Sequence, residues 1–459
     1  MILRRIWSRL IACFDDPSTA QLWRHDLLGR WLGMGGLALV AATWRLWTPQ
    51  TIFPRVPLCS FWDGFSATGE WLLLVLLLVA LFALVVLPKL PRWRTLALAI
   101  VALTLVLLIA GDQHRAQPWA YQLIVVSCLW AAVTPWRGVV LLRLLVVSIY
   151  LYSAVAKLDY AFLTTLGPQF RDALLHLVGM SAERWPSGVR ALANSAFPIG
   201  ELLIALLLCF ARTRVAGLLG SLLMHALMMI LLSPWGLDHQ PGVLVWNIYF
   251  LGQNVLLFGG TLRAGNLKKS QPSQQESRDA RRPTTDAATE EASSEQQRWT
   301  SPVGRFASIV VEIGVGWVLF WPLLEPWGYC ETWLAWGLYA PRAERTTVLI
   351  QDRDREQLPA QLQPYLEATE EEGGWWRLRI DQWSLDALQA PIYPQNRVQI
   401  GVALAVAAEP ALDGRLRVVA FTKANRLTGE RQYREYFGEA ELRTATTKYW
   451  LRSWPRAAE

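Results

Sequence analysis

Ionisable residues are scarce in this 459-residue sequence, where Asp, Glu, Lys and Arg together make up 18%. They are sparse from about Leu27 to Leu262 and dense from Lys268 to Arg298. Soluble domains carry about 25% charged residues, so the long poorly charged stretch argues against a soluble fold. The net charge of +7 comes from basic residues at the ends of apolar runs. This pattern is typical of membrane topology, and we expect no nucleic-acid binding.

Cysteine and histidine are also few, with five of each. The sequence contains no CxxC pair, and no histidine stands at metal-ligand spacing from a cysteine. We therefore predict neither a metal site nor a thioredoxin-like centre. The first 26 residues lack an apolar run followed by a small-residue cleavage site, so we expect no cleaved signal peptide.

Apolar residues are abundant: 53% of the chain is hydrophobic, with 25 Trp and a mean hydropathy of +0.24. A spanning helix needs about 20 mostly apolar residues. About nine stretches approach this criterion, although the third and fourth are short and one of them can be interfacial. They are Leu28–Trp47, Trp71–Leu87, Leu96–Ala110, Ala120–Pro135, Val139–Ala156, Phe197–Ala211, Val215–Leu232, Val243–Leu262 and Ala307–Leu324. The sequence thus predicts an all-α polytopic membrane helix bundle of about nine spans.

Orientation follows from the basic residues in the connections, which favour the cytoplasmic side. The N-terminus, residues 89–94, 137, 212–214 and 263–305 carry them. We predict a multi-pass plasma-membrane protein with a cytoplasmic N-terminus and an extracytoplasmic C-terminus. The segment 157–193 does not follow this rule, because it carries basic residues although the order of the spans places it outside. We expect short helices there that lie in the interface.

The predicted domains are a cytoplasmic N-terminal segment (1–27), a transmembrane bundle (28–262), a disordered cytoplasmic linker (263–303), a final span (304–328) and an extracytoplasmic domain (329–459). The linker is rich in Ser, Gln, Glu and Arg and has no apolar periodicity. The last domain contains alternating stretches that predict a small mixed β domain. The predicted strands are Thr347–Ile350, Arg377–Ile380, Val398–Val406 and Arg415–Phe421.

Ionisable side chains within apolar spans are candidate functional groups, because burying a charge in lipid costs several kcal/mol. Lys157 ends the fifth span; it can be a base in a cavity, or it can reach the interface and pair with Asp159. His225 lies mid-span and can be a ligand, a proton relay or a neutral histidine bonded to a backbone carbonyl. Glu201 and Glu312 are expected to pair with an arginine of the bundle, such as Arg30, Arg45 or Arg143.

The segment Tyr150–Gly167, "YLYSAVAKLDYAFLTTLG", together with the span around His225 and the C-terminal β region, resembles the HTTM superfamily. That superfamily includes the vitamin K-dependent gamma-carboxylases and is similar in helical organisation to DoxX and MauE-like proteins. In the carboxylases a lysine before Leu-Asp deprotonates reduced vitamin K, so the resemblance implies that Lys157 is a base and a quinone the ligand. Their Asn-Asn-His motif is missing from this sequence, and we do not expect glutamate carboxylation.

Polar residues near the span ends complete the predicted site. Asp112, Arg115 and Gln122 can hydrogen-bond a quinone oxygen or head group, or they can belong to a loop capped by Pro118. Asp159 stands two residues after Lys157 in the sequence. Trp246 and Asn247, with Gln253, are expected to face the bundle interior.

Cys59 and Cys330 both lie on the predicted outer side, where a disulfide is permitted. The carboxylases join their N-terminal membrane part to the outer domain by a disulfide, so the resemblance implies a Cys59–Cys330 bond.

Two functions of different classes follow from these features. The first is a quinone-linked or redox-associated protein with Lys157 as a base. The second is a non-enzymatic scaffold or maturation factor whose outer domain binds a secreted partner. A transporter is a minor alternative, because the sequence shows no inverted repeat or pair of broken helices.

Overall fold

The computed structural model describes residues 22–87, 91–259, 301–369, 374–409, 412 and 415–456. Most of the predicted N-terminal segment and of the predicted linker therefore lies outside the described residues. The bundle helices are α1 (Leu22–Ala42), α2 (Trp44–Trp47), α3 (Ala67–Val86), α4 (Pro91–Gly111), α5 (Pro118–Ala132), α6 (Pro135–Lys157), α7 (Tyr160–Thr164), α8 (Leu166–Leu177), α9 (Ser187–Cys209), α10 (Arg214–Leu232), α11 (Pro241–Phe258) and α12 (Pro302–Phe320). The C-terminal region, by which we mean the described residues from 329 onward, contains α13 (Ile380–Leu388), α14 (Asn396–Ala407) and α15 (Gly438–Thr446).

Seven helices among the described residues are long and apolar enough to cross a membrane: α3, α4, α6, α9, α10, α11 and α12 with its 3-10 extension to Trp327. They are compatible with a polytopic membrane protein. The predicted count of nine is not confirmed. The stretch Leu28–Trp47 is divided at Thr43 into α1 and α2, and α5, at 15 residues, is short for a spanning helix.

Proline and serine mark where several of these helices begin. Pro118, Pro135, Pro241 and Pro302 each stand in the first turn, where a backbone N–H has no helical partner to lose. Ser66 caps α3 by accepting a hydrogen bond from the backbone N–H of Gly69 at 3.1 Å. The apolar runs between these starts then form the spans.

Helix α6 is the centre of the bundle. Of its most apolar 18 residues 78% are buried, whereas 22% are buried in the corresponding stretch of α12. Helix α1 packs against α3 and α11. Two glycines allow this close approach: a Cβ on Gly35 would lie 2.2 Å from the Tyr249 ring, and one on Gly252 would lie 2.1 Å from Trp31. Trp31 donates from its indole nitrogen to the Tyr249 carbonyl at 2.8 Å. Helix α1 is therefore an integral part of the bundle.

The C-terminal region contains a small antiparallel sheet of five strands in the order β2-β3-β1-β4-β5. The strands are β1 (Arg345–Gln351), β2 (Leu366–Ala368), β3 (Trp375–Leu378), β4 (Arg417–Phe421) and β5 (Tyr433–Phe437). Val348 of β1 pairs with Leu378 on one side and Val418 on the other, so β1 is the central strand. The predicted strand Val398–Val406 is wrong, because these residues belong to the buried helix α14.

The C-terminal region packs against one end of the bundle. Gln113, after α4, donates to the Arg452 carbonyl at 2.9 Å, and Tyr160, after α6, donates its N–H to the Arg426 carbonyl at 2.8 Å. The ends of α4 and α6 therefore share one face of the bundle, which we call the domain end.

Candidate functional site

A cavity lies at the domain end of the bundle between α6, α9, α10 and α11, and the segment Leu338–Tyr339 also lines it. The volume of this inner cavity is about 60 Å³, which is enough for several waters. Its lining is mostly apolar and aromatic, and Lys157, His225, Trp246 and Asn247 are among the residues that face it. Four of the predicted site residues, separated by up to 90 positions, are thus brought together.

Lys157 is held by a buried ion pair. Its side chain is 2% exposed, and its Nζ lies 2.8 Å from both carboxylate oxygens of Glu201 in α9. Nζ also donates to the hydroxyl of Ser153, one turn earlier in α6, at 2.6 Å. The partner of Glu201 is therefore this lysine and not the arginine that we expected, because α9 crosses α6 at this level.

His225 stands in a hydrogen-bond chain that fixes its tautomer. The Asn247 amide donates from Nδ2 to the Val243 carbonyl at 2.9 Å, so its Oδ1, 2.8 Å from His225 Nδ1, is an acceptor. Nδ1 therefore carries the proton and Nε2 accepts from the Tyr150 hydroxyl at 2.7 Å. Asn254 donates to the Tyr150 oxygen at 2.7 Å.

This arrangement describes a neutral imidazole with both ring nitrogens in use. It differs from the backbone-bonded histidine that was one of the three sequence-based alternatives, since the partners of His225 are side chains and not a backbone carbonyl. Tyr150, which also lines the cavity, connects the imidazole to the interior of the bundle. His225 therefore positions the wall of the cavity more than it offers a free base.

Gln122 supports the cavity without lining it. Its Oε1 accepts from the Trp246 indole at 2.8 Å, and its Nε2 donates to Gln253 at 3.3 Å. Trp246 is thereby held against the cavity. Gln122 acts through Trp246 and has no direct access to a ligand there.

Asp159 is not in the cavity. It caps α7 by accepting from the backbone N–H of Phe162 at 2.7 Å, and burial raises its pKa above the ordinary value for an aspartate. Asp159 therefore starts the next helix, and the structure does not bring it to Lys157 as a partner.

Asp112 and Arg115 lie in a separate polar cluster. Asp112 accepts from the ring Nδ1 of His114 at 2.9 Å, and Arg115 pairs with Glu70 at 2.7 Å. Burial alone would raise the pKa of Asp112, but the neighbouring His114 and Arg115 hold it below its ordinary value. These residues join loops of the bundle and are remote from the inner cavity.

Glu70 is the centre of that cluster, which we call the Glu70 clamp. Besides Arg115, its carboxylate accepts from Arg55 at 2.6 Å and from Arg456 at 3.0 Å, and all four side chains are buried. Arg456 belongs to the C-terminal end of the described chain. The clamp therefore ties that end to the bundle.

The expected disulfide is not formed. Cys59 and Cys330 are both free in the structure, the first exposed and the second buried. Cys59 precedes a short 3-10 helix at Ser60–Gly64, whereas the carbonyl of Cys330 accepts from Lys423 in the C-terminal region. Glu312 does pair with an arginine of the bundle, Arg137 in the first turn of α6, at 3.0 Å, although this arginine is not one of the three given as examples.

Two residues of the site had no functional assignment from the sequence. Ser153 stands four residues before Lys157, the spacing that places two side chains on one helix face, so this contact could have been found. Tyr339 lies in a loop 182 residues from Lys157, and no local pattern indicates that it reaches the cavity.

A second cavity adjoins the first and is larger, about 260 Å³. This outer cavity lies between the bundle and the C-terminal region, and Val243, Trp246, Leu338 and Tyr339 line both cavities. Within the described ranges, no three His, Cys, Asp or Glu side chains stand close enough to hold a metal ion. Apolar and aromatic side chains make up most of the lining of both cavities.

Neither a protein-family model, nor a curated protein, nor a solved structure matches this chain.

Proposed function

We propose that this chain is a plasma-membrane protein of HTTM type in which Lys157 takes a proton from a quinol or a related apolar hydroxyl compound in the inner cavity. The observation that carries the proposal is the Lys157 amine, which is buried, paired with Glu201 and turned toward an aromatic-walled cavity. A base in such a place meets an apolar substrate with little competition from water.

The Lys157–Glu201 pair supplies the proton acceptor. The ion pair becomes a base when the ammonium proton passes from Nζ to the carboxylate, which leaves a neutral Lys157 amine beside the Glu201 carboxylic acid; the pair is neutral overall in both forms. Taking the hydroxyl proton of the substrate leaves both groups protonated and puts the negative charge on the substrate oxygen, beside the lysine ammonium. The side chain of Glu201 is 13% exposed against 2% for Lys157, so the second proton leaves more readily through Glu201.

Topology is the second part of the proposal. We infer nine crossings, with α1 and α5 completing the seven longer helices, a cytoplasmic N-terminus and an extracytoplasmic C-terminal region. Its support is the contact between the C-terminal region and the ends of α4 and α6, together with ion pairs at the other end, such as Arg94 with Asp26 at 3.1 Å. The site then faces the outer leaflet.

The test uses full-length protein in liposomes supplied with menadiol, a reduced naphthoquinone. If deprotonation is catalysed, menadiol transfers two electrons to O₂, and menadione and H₂O₂ appear in equal amounts. Lys157→Arg keeps the charge beside Glu201 but cannot give up its proton, so oxygen consumption should fall to the background rate. Lys448→Met, on the surface of the C-terminal region, is the matched control and should keep the wild-type rate. Unchanged turnover in Lys157→Arg would remove Lys157 from the mechanism.

A non-enzymatic function as a scaffold or maturation factor has one observation in its favour. The C-terminal region carries an open cleft of about 1130 Å³ with charged walls, and Trp327 and Leu427 at its margin are 71% and 86% exposed. A secreted protein partner can bind such a surface. Leu427→Ser tests this function without disturbing the bundle: it should weaken partner binding and leave menadiol oxidation unchanged.

A further inference from the structure

The outer cavity differs from the inner one in its lack of charge. Among the described residues that line it there is no Asp, Glu, Lys or Arg, and its only ionisable side chains are His239 and Tyr339. Burial lowers the pKa of His239, whose Nδ1 accepts from the backbone N–H of Gln240 at 3.0 Å. The imidazole is therefore neutral near pH 7. A charged ligand would lose its hydration here and gain no counter-charge.

Three residues of the outer cavity carry polar atoms that are buried and make no hydrogen bond to any described residue. They are the Thr332 hydroxyl, the Tyr339 hydroxyl and the side-chain oxygen of Gln389. Thr332 is 2% exposed. Burial, and to a lesser degree Glu201, raises the pKa of Tyr339, so its hydroxyl stays protonated and can donate. Buried polar groups are normally paired, and three unpaired atoms around one cavity are unusual.

The backbone at two of these residues is also unusual. Tyr339 has φ of 52° and Gln389 has φ of 57°, in the left-handed region that non-glycine residues rarely adopt. They are two of the four such non-glycine residues in the described chain. Strained backbone tends to occur at ligand sites, where it places a side chain. Here it occurs at two residues that line one cavity, in the segments before β1 and after α13.

The walls between these polar atoms are aromatic. Trp119, Trp246 and Trp333 line the cavity, and the Tyr339 ring meets the His239 ring edge-on at 5.8 Å. Aromatic walls with a few uncommitted polar atoms are typical of sites for flat, amphipathic small molecules.

We propose that the outer cavity is a binding site for an uncharged aromatic compound with a hydroxyl group, whose oxygen accepts hydrogen bonds from Thr332 and Tyr339 and whose proton is donated to Gln389. The site goes beyond the proposed proton transfer and does not depend on it, because Lys157 does not line the outer cavity. Because the described walls carry no charged side chain, we expect carboxylates and phosphates to bind poorly there.

The experiment measures binding of 2-naphthol to full-length protein in lipid nanodiscs by calorimetry, with empty nanodiscs subtracted. The matched ligand is 2-naphthalenesulfonate, which has the same rings and a permanent negative charge. We expect 2-naphthol to bind at least tenfold more tightly than the sulfonate. Thr332→Val with Tyr339→Phe removes two hydroxyls at nearly constant volume and should weaken 2-naphthol about tenfold, as expected for the loss of two neutral hydrogen bonds.

Two further variants locate the site. Ala390→Phe fills the outer cavity alone and should abolish binding, whereas Tyr329→Phe, on the exposed surface, should leave it unchanged. Lys157→Arg should also bind 2-naphthol normally, so a failure of the proton-transfer proposal leaves this result standing. Equal affinity for naphthol and sulfonate, or unchanged naphthol affinity in both Ala390→Phe and the hydroxyl double variant, would overturn the proposal.

Discussion

Lys157 in α6 and Glu201 in α9 are 44 residues apart in the sequence, yet the lysine Nζ lies 2.8 Å from both carboxylate oxygens. The pair joins two candidate spans inside an apolar bundle. Removing one partner of a buried ion pair lowers the free energy of unfolding far more than replacing both partners by apolar residues. The contribution of this pair to stability can therefore be separated from its contribution to function.

Glu201→Leu should destabilise the protein by about 3–5 kcal/mol, because it leaves the Lys157 ammonium buried without a carboxylate. The double variant Lys157→Met with Glu201→Leu should recover most of that loss, since no charge remains. Thermal unfolding in detergent measures both. Arg137→Ala, at the half-exposed pair with Glu312, is the control and should cost at most about 1 kcal/mol. If the double variant were destabilised by the sum of the losses in the two single variants, Lys157 and Glu201 would not form a buried ion pair.

Tyr150→Phe tests the chain that holds His225. The change removes one hydroxyl, which leaves the His225 Nε2 without its donor and the Asn254 amide with only its longer bond to the Ser221 hydroxyl at 3.4 Å, so we expect a loss of about 1–3 kcal/mol. Tyr152→Phe, two residues later, removes a hydroxyl that donates only to the Leu319 carbonyl and should cost less. The measurement is again thermal unfolding. If Tyr152→Phe lost more stability than Tyr150→Phe, the hydrogen-bond chain around His225 would contribute little to the free energy of unfolding.

The sequence predicted the apolar helices well, because a long hydrophobic run has only one stable structure in lipid. It failed at Val398–Val406, since a short apolar run fits a buried helix as well as a strand. The partner of Lys157 could not be predicted, because pairing depends on the depth at which α9 crosses α6. Glu70, which was not singled out, shows the same limit: its three arginines come from three distant segments.

Acidification should weaken the loop that contains Asp112. Its folded-state pKa lies below the ordinary 3.8, so the carboxylate contributes stability above about pH 4 that is lost as the pH falls through the folded-state value. Asp112→Asn lacks this contribution. The gap in unfolding temperature between wild type and Asp112→Asn should be constant from pH 7 to about 4 and shrink below it. A gap that widens on acidification would reverse the sign of the effect.

The Glu70 clamp should dominate attachment of the C-terminal region. Glu70→Gln leaves three buried guanidinium groups without a carboxylate and should cost about 3–5 kcal/mol. Arg456→Met leaves Glu70 with two arginines and should cost about 1–3 kcal/mol, the loss of one charged hydrogen-bond partner. Limited proteolysis should release the C-terminal region faster from both variants. Arg452→Met, whose partner Asp63 is 40% exposed, is the control and should be cleaved at the wild-type rate.

Cys59 reports the side of the membrane on which the C-terminal region lies. Its thiol is exposed and close in sequence to Leu58, whose carbonyl accepts from the backbone of Arg452, so the two segments share one face. Burial raises the pKa of the Cys330 thiol to about 12, which keeps it protonated and slow to react. In sealed right-side-out vesicles, a membrane-impermeant maleimide should label Cys59 and leave Cys330 unmodified, and Cys59→Ser should remove that label. Labelling of Cys59 only after the vesicles are opened would place the C-terminal region in the cytoplasm and reverse the proposed topology.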